Sequence, residues 1–178
     1  MAAIKGLDSL LRKLDKLGGN SHKALKTGVT KATKLVQGDA KDLCAVDEGD
    51  LKISIKANVE QTEEKTVGKV STNKEHAPYI EFGTGPAGRA SPKDLPPELA
   101  GKIQYRADGW WIHSSQIDAE TAEKYHFFRW ESPDGEVFYH TEGQPAQPFL
   151  YPALKQNKQR IGEIIKDEVK KEIKKLGG

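Results

Sequence analysis

The fold of this chain is decided by two short stretches, HAPYIEFGTG at residues 76–85 and GQPAQPFLYPAL at residues 143–154. Both are dense in proline, glycine and aromatic residues, whereas the rest of the sequence is rich in lysine and glutamate. Proline fixes φ and glycine admits positive φ, so such clusters specify a rigid backbone. We expect their apolar residues to anchor the core or a contact between subunits, namely Tyr79, Phe82, Pro148, Phe149 and Tyr151.

The residues between the two stretches are predicted to form an inserted aromatic β module. Pro86–Pro97 is rich in proline, glycine and serine and predicts a loop, and residues 118–124 predict a short helix. Ser132-Pro133-Asp134-Gly135 predicts a hairpin turn that pairs Trp130 with Phe138 and Phe128 with His140 on one face. The side chains expected in an outer sheet or a partner contact are Trp110, Trp111, Phe128, Trp130 and Phe138.

Outside the insertion, apolar spacing predicts helices towards both ends. Residues recurring at helical spacing predict helices over roughly residues 4–17, 22–44 and 152–176. Leu51, Ile53 and Ile55 alternate with polar residues, which predicts a half-buried strand. Residues 66–72 predict a second strand, and Pro78–Phe82 predicts a short helix or strand.

These elements predict an α+β fold. N-terminal amphipathic helices and a long C-terminal helix are expected to pack on a small antiparallel sheet that carries the inserted aromatic hairpin module. The core domain is predicted to comprise residues 1–85 and 143–178, with residues 86–142 as the insertion. If the two quoted stretches are halves of one motif, Gly85 and Gly143 should lie close together in space.

Composition and charge narrow the class of protein. At 178 residues the chain is about one domain long, and no apolar run is long enough to cross a bilayer. Residues 1–45 carry a net charge of +5 and residues 155–178 carry +4, whereas residues 46–154 carry −7. This pattern is typical of solvated helix faces, and the functional alternatives are head-to-tail charge matching between copies or a basic lining near nucleic acid. The single cysteine, Cys44, excludes an internal disulfide and is expected to be a small buried residue, which fits synthesis in a reducing cytoplasm.

The sequence contains no recognisable catalytic constellation. We expect no catalytic, cofactor-binding or metal-ligating residues, because the histidines of the middle region lack metal-type spacing and Gly83–Gly88 lacks the lysine of a phosphate-binding loop. Two alternatives remain open. One is a metal-dependent hydrolase or nuclease that uses His113, His126 or His140, and the other is a DNA-binding module whose affinity falls steeply with salt.

Three blocks of the sequence resemble one known family. APYIEFGT at residues 77–84, PAQPFLYPAL at 145–154 and the preceding GDLKISI at 49–55 are similar to the hallmark of the HK97-type phage tail-component family. The resemblance covers most of residues 1–85 and 143–176, and residues 86–142 depart from it because many members have a much shorter link there.

The resemblance implies a non-enzymatic structural protein of the virion. Members are assigned to tail completion and head–tail joining in tailed phages and prophages, as subunits of a homo-oligomeric ring of six copies. The expected partners are therefore other copies of this chain, neighbouring neck and tail proteins, and phage DNA that passes through the channel without sequence-specific contact. The expected location is the neck or tail of the virion, after synthesis in the bacterial cytoplasm, with no membrane contact.

Overall fold

The computed structural model describes residues 20–44 and 49–176 and divides the chain into two compact units. The first unit comprises residues 1–74 and 149–178, and the second comprises residues 75–148. Helices and small antiparallel sheets make up both units, so the predicted α+β class is confirmed. The helix predicted over residues 4–17 lies outside the described residues. No helix of the described part of the chain is long and apolar enough to cross a membrane.

The first unit is built on a pair of long helices, α1 (Asn20–Leu43) and α8 (Lys158–Leu176). Val29, Ala32 and Ile165 form a buried cluster between them, because apolar residues recur along one side of each helix. At Gly28 the helices approach so closely that an added Cβ would lie 2.9 Å from the Ile165 Cα. Gly28 is therefore a packing residue.

An ionic network crosses the exposed side of this helix pair. The Glu168 carboxylate lies 2.9 Å from the Lys31 ammonium of α1 and 2.8 Å from the Lys171 ammonium one turn along α8. The hydrogen bonds from Lys171 and Lys31 lower the pKa of Glu168 from 4.5 to about 2. The network thus favours the ionised carboxylate in the folded state.

A two-stranded antiparallel ribbon covers α1. Its strands are β1 (Lys56–Gln61) and β2 (Thr66–Ser71), in a register that sets Val59 opposite Gly68. The side-chain amide of Gln37 donates to the backbone carbonyl of Ile55 at 2.8 Å, and the side-chain amide of Gln61 donates to the backbone carbonyl of His22, also at 2.8 Å. These two bonds fix both ends of β1 to α1.

The strand predicted at Leu51–Ile55 is wrong. Residues Gly49–Ser54 form a short helix, α2, and the strand begins only at Lys56. Leu51 and Ile55 are fully buried, whereas Ile53 is 75% exposed. An apolar pair four residues apart satisfies helical spacing as well as alternation, so the spacing of Leu51 and Ile55 does not distinguish a helix from a strand.

The C-terminal segment forms two helices where one was predicted. Helix α7 (Leu150–Gln156) ends at Asn157, after which α8 begins at Lys158. The buried Asn157 side-chain amide donates to the Ala153 carbonyl at 2.8 Å and to the Asp39 carboxylate at 2.5 Å. Asparagine side chains compete in this way with helical backbone bonds, so the helix breaks here.

The second unit holds a three-stranded antiparallel sheet and four short helices. The strands are β3 (Trp110–His113), β4 (Phe128–Glu131) and β5 (Val137–Thr141), in the order β3-β5-β4. The predicted pairing of Trp130 with Phe138 and of Phe128 with His140 is confirmed. The helices are α3 (Ala77–Phe82), α4 (Gly85–Ala90), α5 (Pro97–Ala100) and α6 (Ala119–Lys124).

Three helices of this unit bear on the predictions. The loop predicted over Pro86–Pro97 is wrong in part, because α4 occupies its first half and α5 begins at Pro97. Proline is tolerated in the first turn of a helix, and both helices have one there. Helix α6 matches its prediction. The Asp118 carboxylate caps this helix by accepting hydrogen bonds from the hydroxyl and the backbone amide of Thr121, each at 2.7 Å. These two bonds lower the pKa of Asp118.

Candidate interaction surface

The two decisive stretches meet along a hydrogen-bonded seam, formed by residues 79–91 on one side and residues 142–147 on the other. The backbone amide of Thr84 donates to the backbone carbonyl of Gln144 at 2.9 Å, and the backbone amide of Gln144 donates to the Thr84 hydroxyl at 3.0 Å. The Gln147 amide also donates to the Ile80 carbonyl at 2.8 Å. Gly85 and Gly143 therefore lie close together, as the two-halves prediction requires.

The glycines of the seam are needed because backbone passes where side chains would stand. A Cβ at Gly143, where φ is +85°, would lie 2.2 Å from the Thr84 carbonyl oxygen. At Gly83, where φ is +75°, it would lie 2.7 Å from the Ala146 nitrogen and from the Gln144 oxygen. The space beside this glycine loop is thus filled by the chain itself, and this explains its composition without a bound phosphate.

Polar side chains secure the outer part of the seam. The Lys93 ammonium donates to the carbonyls of Gly88 and Ser91 and lies 5.1 Å from the centre of the Tyr105 ring. The Tyr105 hydroxyl donates to the Phe82 carbonyl at 3.0 Å. Burial lowers the pKa of Lys93 and raises the pKa of Tyr105. Both groups hold backbone carbonyls in place.

One face of the sheet is entirely aromatic, and we call it the aromatic face. Residues directly opposite in an antiparallel sheet share a face, and side chains two apart along a strand do so as well. The register therefore places six rings on one side: Trp111 and His113 of β3, Phe138 and His140 of β5, and Phe128 and Trp130 of β4.

The rings of the aromatic face pack on one another. Trp111 is central, with its ring centroid 4.9 Å from that of His140, 6.0 Å from that of Trp130 and 6.1 Å from that of Phe128. Phe138 contacts Trp130 at 5.9 Å and His113 at 5.1 Å. Most of these contacts are edge-to-face or tilted, which is the favourable geometry for aromatic pairs.

The opposite face of the sheet is buried along β5, whereas much of the aromatic face is open to solvent. Tyr139 and Thr141, which point away from the rings, are only 6% and 5% exposed. On the aromatic face Trp111 is 50% exposed, Phe128 is 63% exposed and Trp130 is 46% exposed. Large aromatic groups exposed side by side are typical of a protein contact surface.

The structure distributes the predicted anchor residues over several environments. Phe149 is fully buried, Tyr79 is largely exposed, and Phe82, Pro148 and Tyr151 are partly buried. Of the predicted sheet residues, the aromatic face unites Trp111, Phe128, Trp130 and Phe138. Trp110 is excluded from it, because Trp110 points to the other side and packs where a Cβ on Gly85 would lie 2.9 Å from its ring.

The histidines of the insertion are not gathered into a metal site. His113 Nε2 contacts the Glu136 carboxylate at 2.5 Å, and its Nδ1 contacts the Ser115 hydroxyl at 2.7 Å. His140 stacks beside Trp111, and His126 follows α6 with φ of 56°. Among residues 20–44 and 49–176, no group of three or more His, Cys, Asp or Glu side chains is placed to hold a metal ion.

Sequence reasoning overlooked His113 as a member of the aromatic face. The available signal was its position two residues after Trp111 in the same strand, which puts both rings on one side. Its bond to Glu136 also ties the end of β3 to the start of β5 at the edge of this face.

The two units carry opposite charge. Residues 75–148 have six Lys or Arg against twelve Asp or Glu, a net charge of −6, and the rest of the chain carries +8. Two of the acids, Asp134 and Glu136, are exposed at the hairpin end of the aromatic face. Glu131 lies on the opposite side of β4 and pairs with Arg129. The surface thus combines exposed rings with an acidic rim.

Comparison with known proteins finds one match. Residues 8–83 match the model of the HK97-gp10-like family, described as "Bacteriophage HK97-gp10, putative tail-component". The match confirms the resemblance over α1, α2, the ribbon and α3, and it ends at Gly83, beside the seam. It points to a structural role as a bacteriophage tail component. No curated protein and no solved structure matches the chain.

Proposed function

We propose, from the family match as premise, that this chain is a structural protein of a phage virion that completes the tail or joins it to the head. It acts as a subunit of a homo-oligomeric ring of six copies, in the neck of the particle, and not as an enzyme. The observation that carries the proposal is the match of residues 8–83 to a family of phage tail components.

The described structure supports this role in two ways. The seam and the paired helices give each unit a fixed shape, which a repeated subunit needs. The chain also presents an exposed aromatic face on a unit of charge −6, while the rest carries +8. A closed ring needs two different patches that meet head to tail, and surfaces of opposite charge suit such a contact.

The proposed partners are other copies of the chain and the neck and tail proteins on either side of the ring. Phage DNA would pass through the channel without sequence-specific contact. The diffuse positive charge of the first unit is compatible with DNA moving through, because a tight cationic stripe would retain it.

Assembly of virions tests the role. Deleting the gene from the phage genome should leave filled heads and tails that fail to form infectious particles, and supplying the protein in trans should restore them. Antibody against the chain should label the head–tail junction in electron micrographs. Infectious particles of normal yield without the protein would overturn the proposal.

Mass in solution tests the ring. Light scattering should give about six times the chain mass of 19.7 kDa. A monomer at all concentrations that also fails to enter particles would contradict the assembly role.

A further inference from the structure

We propose that the aromatic face of one subunit packs on the outer face of the β1–β2 ribbon of a second copy of this chain. The inference rests on the proposed ring and names one of its contacts. The outer face of the ribbon is defined by the register, which sets Lys56, Asn58 and Glu60 opposite Ser71, Lys69 and Val67.

Much of the apolar area of the aromatic face is exposed to solvent in the single chain. Trp111, Phe128 and Trp130 are each about half exposed in the folded chain, although their rings contact one another directly. Hydrophobic burial is the dominant favourable term in protein association, and tryptophan is enriched among residues that carry binding energy. The rings thus present apolar area that a partner can remove from water.

The geometry and charge favour a basic protein surface as that partner. The rings stand edge to face or tilted, at 64° between Trp111 and Trp130, so they form no flat platform on which a sugar or a base can stack. The acidic rim repels a polyanion, since Asp134 and Glu136 are exposed at the hairpin end. A surface with lysines around an apolar centre matches both features.

The outer face of the ribbon carries two lysines and one apolar side chain, with Glu60 opposite Val67. Val67 is 45% exposed, and Lys69 and Lys56 are exposed on the same side of the ribbon. The inner side is occupied, because an added Cβ at Gly68 would meet the Thr33 side chain of α1. Two sheet faces can pack about 10 Å apart, with Val67 among the rings and the lysines towards the carboxylates.

The proposed contact is heterologous, because the two patches differ and every copy carries both. Such contacts close into rings when the rotation between neighbours allows it. Removal of one patch from every copy must therefore prevent closure. A mixture of two differently impaired chains must still form one contact, since each supplies the patch that the other lacks.

Light scattering on two double variants of the full chain tests the contact. The face variant is Trp111→Ser with Trp130→Ser, and the ribbon variant is Lys56→Glu with Lys69→Glu. All four side chains are partly or largely exposed, so far-UV circular dichroism should show native helix content. Each variant alone should lose the ring and weaken self-association by roughly tenfold or more. Their equal mixture should form a 1:1 complex of twice the 19.7 kDa chain mass.

Matched controls exclude general effects. Tyr125→Ser removes an exposed aromatic residue of the same unit that lies outside the sheet, and Lys166→Glu with Lys170→Glu makes the same charge change on α8. Both controls should assemble like the wild type.

The outcomes separate the two proposals. A face variant that assembles like the wild type overturns this contact and leaves the ring and the virion role standing. Impaired single variants whose mixture stays monomeric show that the ribbon of a second copy is not the occupant, and this also overturns the inference. A wild-type chain that remains monomeric and is absent from particles overturns the proposed function itself.

Discussion

The backbone amide of Thr84 donates to the backbone carbonyl of Gln144 at 2.9 Å, and the backbone amide of Gln144 donates back to the Thr84 hydroxyl at 3.0 Å, across sixty residues of sequence. This reciprocal pair fixes the register of the seam. The segment between the two partners therefore begins and ends at one place.

Gly143→Ala is expected to destabilise the second unit strongly. The substitution forces alanine into φ of +85°, which costs about 1–2 kcal/mol. The new Cβ would also lie 2.2 Å from the Thr84 carbonyl oxygen, and overpacking adds about 1–3 kcal/mol. Urea unfolding followed by tryptophan fluorescence measures this loss, because all three tryptophans lie in this unit.

Gly135→Ala is the matched control for the seam. Gly135 has φ of +84° in the hairpin turn, with open space where the Cβ would stand. Gly135→Ala should therefore lower the free energy of unfolding only by the backbone strain of positive φ, about 1–2 kcal/mol. Equal losses at the two glycines would contradict a role for close approach at Gly143.

The helix pair predicts opposite effects for two glycines of α1. Gly28→Ala should destabilise the first unit, because the added methyl would lie 2.9 Å from the Ile165 Cα of α8. Gly38→Ala should stabilise it by about 1 kcal/mol, since that site is open and alanine is the better helix former. Thermal unfolding followed by far-UV circular dichroism gives both signs. Stabilisation by Gly28→Ala would show that the helices are not in contact there.

Glu168 predicts a pH dependence of stability. Lys171 and Lys31 hold the pKa of Glu168 in the folded state at about 2, below the ordinary 4.5. The stabilisation of the folded state by this carboxylate is therefore fully present above about pH 5 and is lost as the pH falls towards 2. Glu168→Gln should lower the midpoint of thermal unfolding at neutral pH and flatten its decline in acid. Glu163→Gln, an exposed site on the same helix, should leave the acid decline unchanged. An identical acid decline in Glu168→Gln and the wild type would refute this assignment.

Phe149 is predicted to be essential for the first unit. It is fully buried, so Phe149→Ala should cost about 3–5 kcal/mol through lost burial and the cavity left behind. Leu154→Ala, five residues along in α7, removes a side chain that is 52% exposed and should cost far less. Urea unfolding followed by circular dichroism compares the two. Similar losses would mean that burial does not set the contribution of Phe149.

Local chemistry made part of the fold predictable from the sequence. The hairpin register at Trp130 and Phe138 follows from a four-residue turn, and α6 follows from its Asp118 cap. Leu51 and Ile55 were misjudged because their spacing fits two periods. Only tertiary burial decides that Ile53 faces solvent while its neighbours do not.

The interaction surface was only partly predictable for a similar reason. Alternation in single strands identified the outward rings of β4, but the pairing of β3 with β5 joins residues far apart in sequence. That pairing alone brings Trp111 and His113 beside Phe138 and His140. Similarly, the prolines and glycines of the seam predict its rigid backbone, whereas they do not predict which residues form hydrogen bonds across it.

The closeness of Gly85 and Gly143 has an evolutionary consequence. Because the segment between them leaves and re-enters the chain at neighbouring points, a short link between residues 85 and 143 can replace it without moving the Thr84–Gln144 pair, and closure entropy changes only slowly with loop length. The module is exchangeable in this sense. A single insertion or deletion at this point adds or removes the whole aromatic face and leaves the Thr84–Gln144 pair in place.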